Sequence, residues 1–509
     1  MISGPLNPSR RRIASLAAAA LAAPAWVRHA RAADQPRFTL GVASGHPQPT
    51  SVVLWTRLMG PDLAPGVDVF WELAEDPAFA RIAARGVETA LVADAHTVHA
   101  EPAGLQSARE YWYRFTALGQ RSATGRTRTA PEAGAAVASL EFAITSCQRW
   151  DQGHYAAWRH AAEQPLDLML FLGDYIYEYA SSRQALRAHV GGKVVLLDDY
   201  RQRYAQYKSD PALQAAHAAC PWLVIWDDHE VDNDYAGLRG QTLQVDFAAQ
   251  RAAAYRAWWE HMPLPKAMRP AGPDLRIYGH LDWGRLARIQ LLDTRQYRDP
   301  QSCPREGRAG SHTVDGADCA DLADPKRTLL GAEQERWLAQ NWSLDRPWNL
   351  LAQQTLMARF SWKSPARGGR YWTDGWDHYA PARQRLLGAV AQRKVPGVVV
   401  LGGDVHANYV ADLKADFDDP RSAVLASEFC GTSISSLGLA QERVAAAMAF
   451  NPHVHHGRAD QRGYVRFSLN ARELQARLEV VADPLEAASA VTTAARFAVD
   501  AARPGIQRA

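Results

Sequence analysis

The chain has 509 residues, of which 47% are apolar and 22% charged, with a formal net charge of +3. Such a length exceeds one hydrophobic core, so two domains are expected. Residues 1–32 hold five arginines and no acid, and removing those charges from +3 leaves −2 on the rest. That balance gives no reason to invoke nucleic-acid-specific binding or an anionic membrane.

The first 32 residues read as an export signal. Arg10-Arg11-Arg12 form a basic start, Ile13–Ala25 a short apolar run, and Ala30-Arg31-Ala32 a small-residue cleavage site. The run is too short to span a bilayer. Paired arginines before an Ala-rich core favour the twin-arginine route, which carries folded proteins, so its export machinery is an expected partner and the periplasm or exterior the expected location. Nothing later in the chain reads as a membrane span. Residues 36–132 read as a small all-β domain of immunoglobulin or fibronectin type. Ser51–Trp55, Val67–Leu73 and Glu110–Phe115 are short aromatic strands between Pro/Gly turns, followed by a linker at Ala130–Ala136. Few carboxylates or histidines cluster there, and a packing role is expected.

From residue 138 to 509 apolar strands alternate with helical segments, as in an α/β domain, here a four-layer α/β/β/α sandwich. Candidate strands are Leu140–Ser146, Leu166–Leu172, Trp222–Trp226, Leu286–Leu292, Leu350–Thr355, Val398–Leu401 and Ala423–Glu428, then a hairpin of Gly463–Leu469 and Leu474–Val480. Asp198–Ala218 and Val245–Met262 have helical composition. The Ala-rich stretch Leu485–Val499 reads as a C-terminal helix, docked on the surface or lying over the site. Cys303 and Cys319 bracket a Gly- and Asp-rich loop and are expected to pair in an oxidising compartment. The odd count of five cysteines leaves at least one thiol unpaired.

Function is expected where strand ends converge. The first such end carries Cys147, followed by Arg149. The second reads Gly173-Asp174-Tyr-Ile-Tyr177-Glu178, with Asp174 and Tyr177 three residues apart and able to converge. The third reads Asp227-Asp228-His229-Glu230-Val-Asp232-Asn233-Asp234; so many acids after an apolar run repel one another unless cations are present. The last, Gly402-Gly403-Asp404-Val-His406, brings out Asp404 and His406 two residues apart, on one side of an extended chain. Thiolate and phenolate together suit iron, and carboxylates suit Ca²⁺. Arg295 follows another strand and has the fork geometry for phosphate, a role for which Arg149 competes; Asp293 reads as the residue that orients Arg295.

In order, these ends read Cys … Gly-Asp-x-x-Tyr … Asp-His-Glu … Gly-Asp-x-His. The series resembles the calcineurin-like metallophosphoesterase pattern, with Cys147, Asp228 and Asp404 where Asp, Asn and His are usual. With those departures the chain resembles the PhoD-type alkaline phosphatases, relatives of the purple acid phosphatases. The motifs that carry the resemblance include Gly41-Val-Ala-Ser-Gly-His46, Phe171–Glu178, Trp226–Val231, Leu292-Asp-Thr-Arg295-Gln-Tyr-Arg298, Leu401–Ala407 and Glu428–Ser433. It implies an exported hydrolase of phosphate mono- and diesters, engaged in phosphate scavenging, with one Fe³⁺, one or two Ca²⁺, and a metal-bound water or oxide as nucleophile. On that basis Cys147, Asp174 and Tyr177 hold iron, with Asp174 bridging. Asp228 and Asp404 serve calcium, with Asn233 or Asp227, and His406 serves either ion. His229 resembles the residue that assists the leaving group. A monomer is expected. The rivals are a phospholipase D-like diesterase acting on lipid head groups and a non-catalytic Ca²⁺-binding adhesin, which has no use for the thiolate. The aromatic loop Tyr371–Tyr379 shapes a substrate mouth, stacks a nucleobase or packs over the core.

Overall fold

The computed structural model of the chain describes residues 35–243 and 246–508. The expected export signal and Val245, the first residue of the second predicted helix, lie outside them. The N-terminal part is rich in strands: β1 (Val42–Gln48), β2 (Ser51–Arg57), β3 (Gly66–Ala74), β4 (Ile82–Leu91), β5 (Thr97–Ala100), β6 (Glu110–Ala117), β7 (Gln120–Arg121) and β8 (Gly125–Arg128). In β6, Tyr111, Tyr113, Phe115 and Ala117 are buried while the residues between them are partly exposed, the period-two pattern of a strand with one covered face. Strands β4, β3, β6 and β7 form one sheet, with β8 beside β6. Val42, Val52 and Leu54 of β1 and β2 pack against Val69, Leu73 and Phe115 of that sheet.

Strands β1, β2 and β5 also reach into the second part of the chain. That part adds β9 (Ser139–Thr145), β10 (Leu168–Phe171), β11 (Trp222–Val224), β12 (Gly279–Trp283), β13 (Ala287–Leu291), β14 (Thr313–Asp315), β15 (Trp348–Ala352) and β16 (Arg370–Trp372). It continues with β17 (Val398–Gly402), β18 (Asn408–Lys414), β19 (Val424–Cys430), β20 (Val454–Arg458), β21 (Gly463–Asn470), β22 (Glu473–Val481), β23 (Val491–Asp500) and β24 (Arg503–Arg508). One mixed sheet runs β24-β23-β22-β21-β9-β10-β11-β1-β2-β5, and another runs β12-β13-β15-β17-β19-β18-β20. The N-terminal strands therefore extend the larger sheet through the parallel pairing of β1 with β11 at Gly45 and Trp222. Trp55 fastens this junction, its Nε1 donating to Glu260 O at 2.8 Å.

Within the larger sheet β9, β10 and β11 are parallel, and within the other β13, β15, β17 and β19 are parallel. Phe142, Leu170 and Phe467 of the first share a core with Ile289, Leu350 and Val399 of the second, and with helices Ala156–Ala162, Leu197–Lys208 and Phe247–His261. Helices Gly331–Gln340, Ala380–Arg393 and Gln441–Met448 close a second core over Leu351, Val400 and Ala411.

Two expectations are corrected. The single helix over Asp198–Ala218 is two, Leu197–Lys208 and Pro211–Ala219. Pro211 cannot donate to the first helix but suits the opening turn of the second, which Asp210 caps by accepting from Ala212 N at 2.9 Å. The C-terminal stretch is strand β23, not a helix: Val491, Thr492 and Thr493 are β-branched, and the strand pairs with β22 on one side and β24 on the other. Phe497 is fully buried in the shared core. Phe497→Ala is therefore expected to lower the unfolding free energy by about 3–5 kcal/mol in chemical denaturation; a loss below about 1 kcal/mol would fit a peripheral tail instead.

Candidate metal centre

The parallel strands of both sheets deliver their following residues to one place. Cys147 follows β9, Asp174 follows β10, Asp227 and Asp228 follow β11, Arg295 follows β13, and Asp404 and His406 follow β17. The turns are sharp. Cys147, Asp174, Asp404 and His406 adopt left-handed φ angles of 58°, 60°, 63° and 51°, at roughly 1–2 kcal/mol each for residues with a Cβ. Close approach also demands glycine. A Cβ on Gly173, whose φ is +113°, would lie 2.4 Å from Asp227 Cβ, and one on Gly402 would lie 2.4 Å from Thr355 O.

Four sets of donor atoms each fall within 4.8 Å of one another: Cys147, Asp174 and His406; Asp174, Asp228 and His229; Asp174, Asp227 and Asp404; and Asp228, Asp234 and Asp374. Asp174 belongs to three of the four. Tyr177 joins them, its Oη donating to Asp174 Oδ2 at 2.9 Å and lying 3.1 Å from His406 Nε2. The Nδ1 of His406 is turned to Leu437 O at 2.7 Å. Asp174, Asp228, His229, Asn233, Asp404 and His406 line one cleft of about 490 Å³.

The electrostatics call for cations. Asp174 Oδ1, Asp227 Oδ2 and Asp404 Oδ2 are buried without a hydrogen-bond donor, an arrangement that is unfavourable unless positive charge is supplied. Burial, reinforced by Asp228 and Asp227 and opposed by His229, holds the Asp174 carboxyl well above the usual carboxylate range. Burial and Asp227 do the same to Asp404 against the pull of Arg295. Burial pushes Asp227 up to about 7 despite Arg295, and burial with the Asp174 and Asp404 charges raises the Cys147 thiol. Asp228 is the exception: burial opposes its charge, but Arg295 and His229 overcome it and hold the carboxyl below its ordinary value. Burial pushes His406 down to about 3, leaving a neutral imidazole of the kind that ligates metal. Sulfur, phenol, imidazole and several undonated carboxylate oxygens form a donor set that fits metal ions.

Two expected catalytic residues stand elsewhere than foreseen. The Arg295 side chain is 1% exposed and does not line the cleft. Its guanidinium bonds Asp227, lies 3.7 Å from Asp228 Oδ2, and pairs with Asp374 Oδ2 at 2.7 Å. Asp293 caps the turn by accepting from the backbone amides of Arg295 and Gln296, both at 2.9 Å, and does not touch the guanidinium. Arg149 pairs with Asp151 at 2.7 Å and lies over the Tyr177 and Tyr179 rings, 5.5 and 5.4 Å from their centroids. His229 does face the cleft. Its Nδ1 bonds Glu178 Oε2 at 2.7 Å, and although burial opposes a charged ring, Glu178, Asp174 and Asp228 hold its pKa well above the usual value.

Residues 142–478 match the family model described as PhoD-like phosphatase. The chain belongs to that family. Residues 21–131 match the description PhoD-like phosphatase, N-terminal domain. The chain is 41% identical over 489 residues to "Alkaline phosphatase D" of Bacillus subtilis (strain 168), covering 92% of this chain and 82% of that protein. A solved structure titled "Structure of PhoD" superposes with a TM-score of 0.88 at 40% identity, covering 93% of this chain and 92% of that one.

Some residues of this PhoD-like centre lay outside the motifs, and others lay inside them with no role assigned. Asp374 sits in the aromatic loop and binds Arg295 and Arg298, the latter at 3.1 Å. Glu230 accepts from the amides of Asp174, Tyr175 and Asp227 at 3.0, 2.6 and 2.9 Å, fixing two strand ends together. Ser436 Oγ lies 2.8 Å from both Cys147 O and Tyr177 Oη. Glu178 and Glu230 stand within the motifs but had no role assigned, only adjacency to Glu428–Ser433 could have flagged Ser436, and Asp374 carried no signal beyond its aromatic neighbours. Asp374→Asn leaves two buried arginines undercompensated and is expected to lower the unfolding free energy by about 3 kcal/mol or more in urea titration; an unchanged midpoint would contradict this placement.

Proposed function

We propose that this chain hydrolyses phosphate mono- and diesters at a polynuclear centre of one Fe³⁺ and one or two Ca²⁺. The observation that carries the reading is Asp174, one carboxylate shared by three donor sets of different chemistry. On one side of it stand Cys147, Tyr177 and His406, the donors suited to iron. On the other stand Asp227, Asp228, Asn233 and Asp404, the oxygen donors suited to calcium. The core shared by the two sheets, with helices packed against each, supports reading the domain as a four-layer α/β/β/α sandwich.

When bound, such cations neutralise phosphoryl charge and lower the pKa of a water molecule. The chain's own residues do the rest. His229, held at Nδ1 by Glu178, lines the cleft, and its other nitrogen is the donor to the leaving oxygen. Arg295 acts as a positioning residue that keeps Asp227, Asp228 and Asp374 in register. Arg149, stacked on Tyr177, fixes the plane of the phenol. Export by the twin-arginine route is supported by the paired arginines of residues 10–12 and by the Cys303–Cys319 disulfide, which suits an oxidising compartment; among the described residues no helix is long and apolar enough to cross a membrane. Produced in a bacterium with a twin-arginine system, the activity is expected outside the cytoplasm. Asp404→Asn is expected to lower kcat on p-nitrophenyl phosphate at least a thousandfold with an unchanged far-UV spectrum. Wild-type kcat in that variant would sink the assignment.

A further inference from the structure

We propose that the outer half of the cleft is a subsite for the alcohol side of the ester, built for a planar aromatic group that carries a second anion, in short a nucleotide. The proposal rests on the phosphoesterase reading above and adds the substrate class. The floor of the cleft carries the carboxylates of the metal centre, but its walls are of another kind. One wall is aromatic: the Phe360 ring lies 4.9 Å from both Trp362 and Tyr409, and all three line the cleft. Arg443 lies over Trp362 with its guanidinium carbon 4.7 Å from the ring centroid. The cleft is also lined by Trp372, on β16, which pairs with β14 at Thr313. Strand β14 belongs to the loop closed by the Cys303–Cys319 disulfide, and the same loop sends Arg305 to the cleft.

Two features of these walls ask for a ligand. Trp362 and Trp372 are only half-buried, and Leu437 and Leu439, which line the same cleft, are 58% and 44% exposed, so apolar surface opens on the reaction site. A phosphate bearing a small polar alcohol leaves that surface uncovered, whereas a nucleobase covers it by stacking on indole. The second feature is charge. Arg295, Arg298, Arg359 and Arg383, behind the cleft, all pair with carboxylates. Arg305 and Arg443, at its mouth, have no such ion pair among the described residues, which leaves two guanidinium forks for a distant phosphate. An acyl chain suits an apolar wall too, but it has no use for forked cations over an indole face.

The test compares kcat/KM for glycerol phosphate, adenosine 5′-monophosphate and adenosine 3′,5′-bisphosphate within each variant, so that a partial loss of folded protein cancels. Trp362→Ala is expected to reduce the ratio of adenosine monophosphate to glycerol phosphate about tenfold or more, and Trp362→Phe to preserve it. Arg443→Ala is expected to reduce the ratio of bisphosphate to monophosphate about tenfold. Unmoved ratios overturn the subsite, as does preferential hydrolysis of phosphatidylcholine vesicles over both nucleotides. If the wild type hydrolyses none of these esters, the phosphoesterase reading itself has failed and the subsite falls with it.

Discussion

Burying many carboxylates in one place is the constraint on which the rest of this molecule depends. Asp174, Asp227, Asp228, Asp234, Asp374, Glu178 and Glu230 are buried around the cleft floor, with Asp404 beside them, and mutual repulsion alone would drive them apart or protonate them. Protein cations answer part of that charge. Arg295 is enclosed by three carboxylates, Arg298 shares Asp374, and the His229 ring sits against Glu178. Backbone amides answer another part, three of them at Glu230. The undonated oxygens of Asp174, Asp227 and Asp404 are what remains, and Asp174 links them to the sulfur, phenol and imidazole that complete a metal donor set.

The same constraint explains the scaffold. Asp227 belongs to the larger sheet and Arg295 to the smaller, so their buried ion pair clamps the two sheets at the carboxyl ends of their parallel strands. Such a pair adds little net stability against apolar packing, but it penalises any register that separates its members. The left-handed turns at Cys147, Asp174, Asp404 and His406 are held by this framework, and each turns a donor toward a common point. The N-terminal strands reinforce it from the far edge, since β1 continues the sheet that carries Cys147, Asp174 and Asp228.

Much of this was legible in the sequence because ligands at strand ends leave a short-range signature. Gly173-Asp174, Asp228-His229-Glu230 and Gly403-Asp404 each follow an apolar run, and the structure brings all of them together. The fate of Arg295 was not legible, because its partners lie 68 residues before it and 79 after it, and no local pattern reports such pairing. Asp374 was hidden for the same reason. The C-terminal strand was misread because alanine favours helices in isolation, whereas β23 is fixed by neighbours on both sides. The break at Pro211 followed a rule that proline states locally, and the composition of the surrounding helices masked it.

The Asp174 cluster is expected to hold different metals on its two sides. Elemental analysis of the purified protein, paired with activity before and after chelation, tests it most directly. About one iron and at least one calcium per chain are expected, with hydrolysis lost on removal of calcium and restored when calcium alone is returned. Full activity in protein that contains neither metal would contradict it.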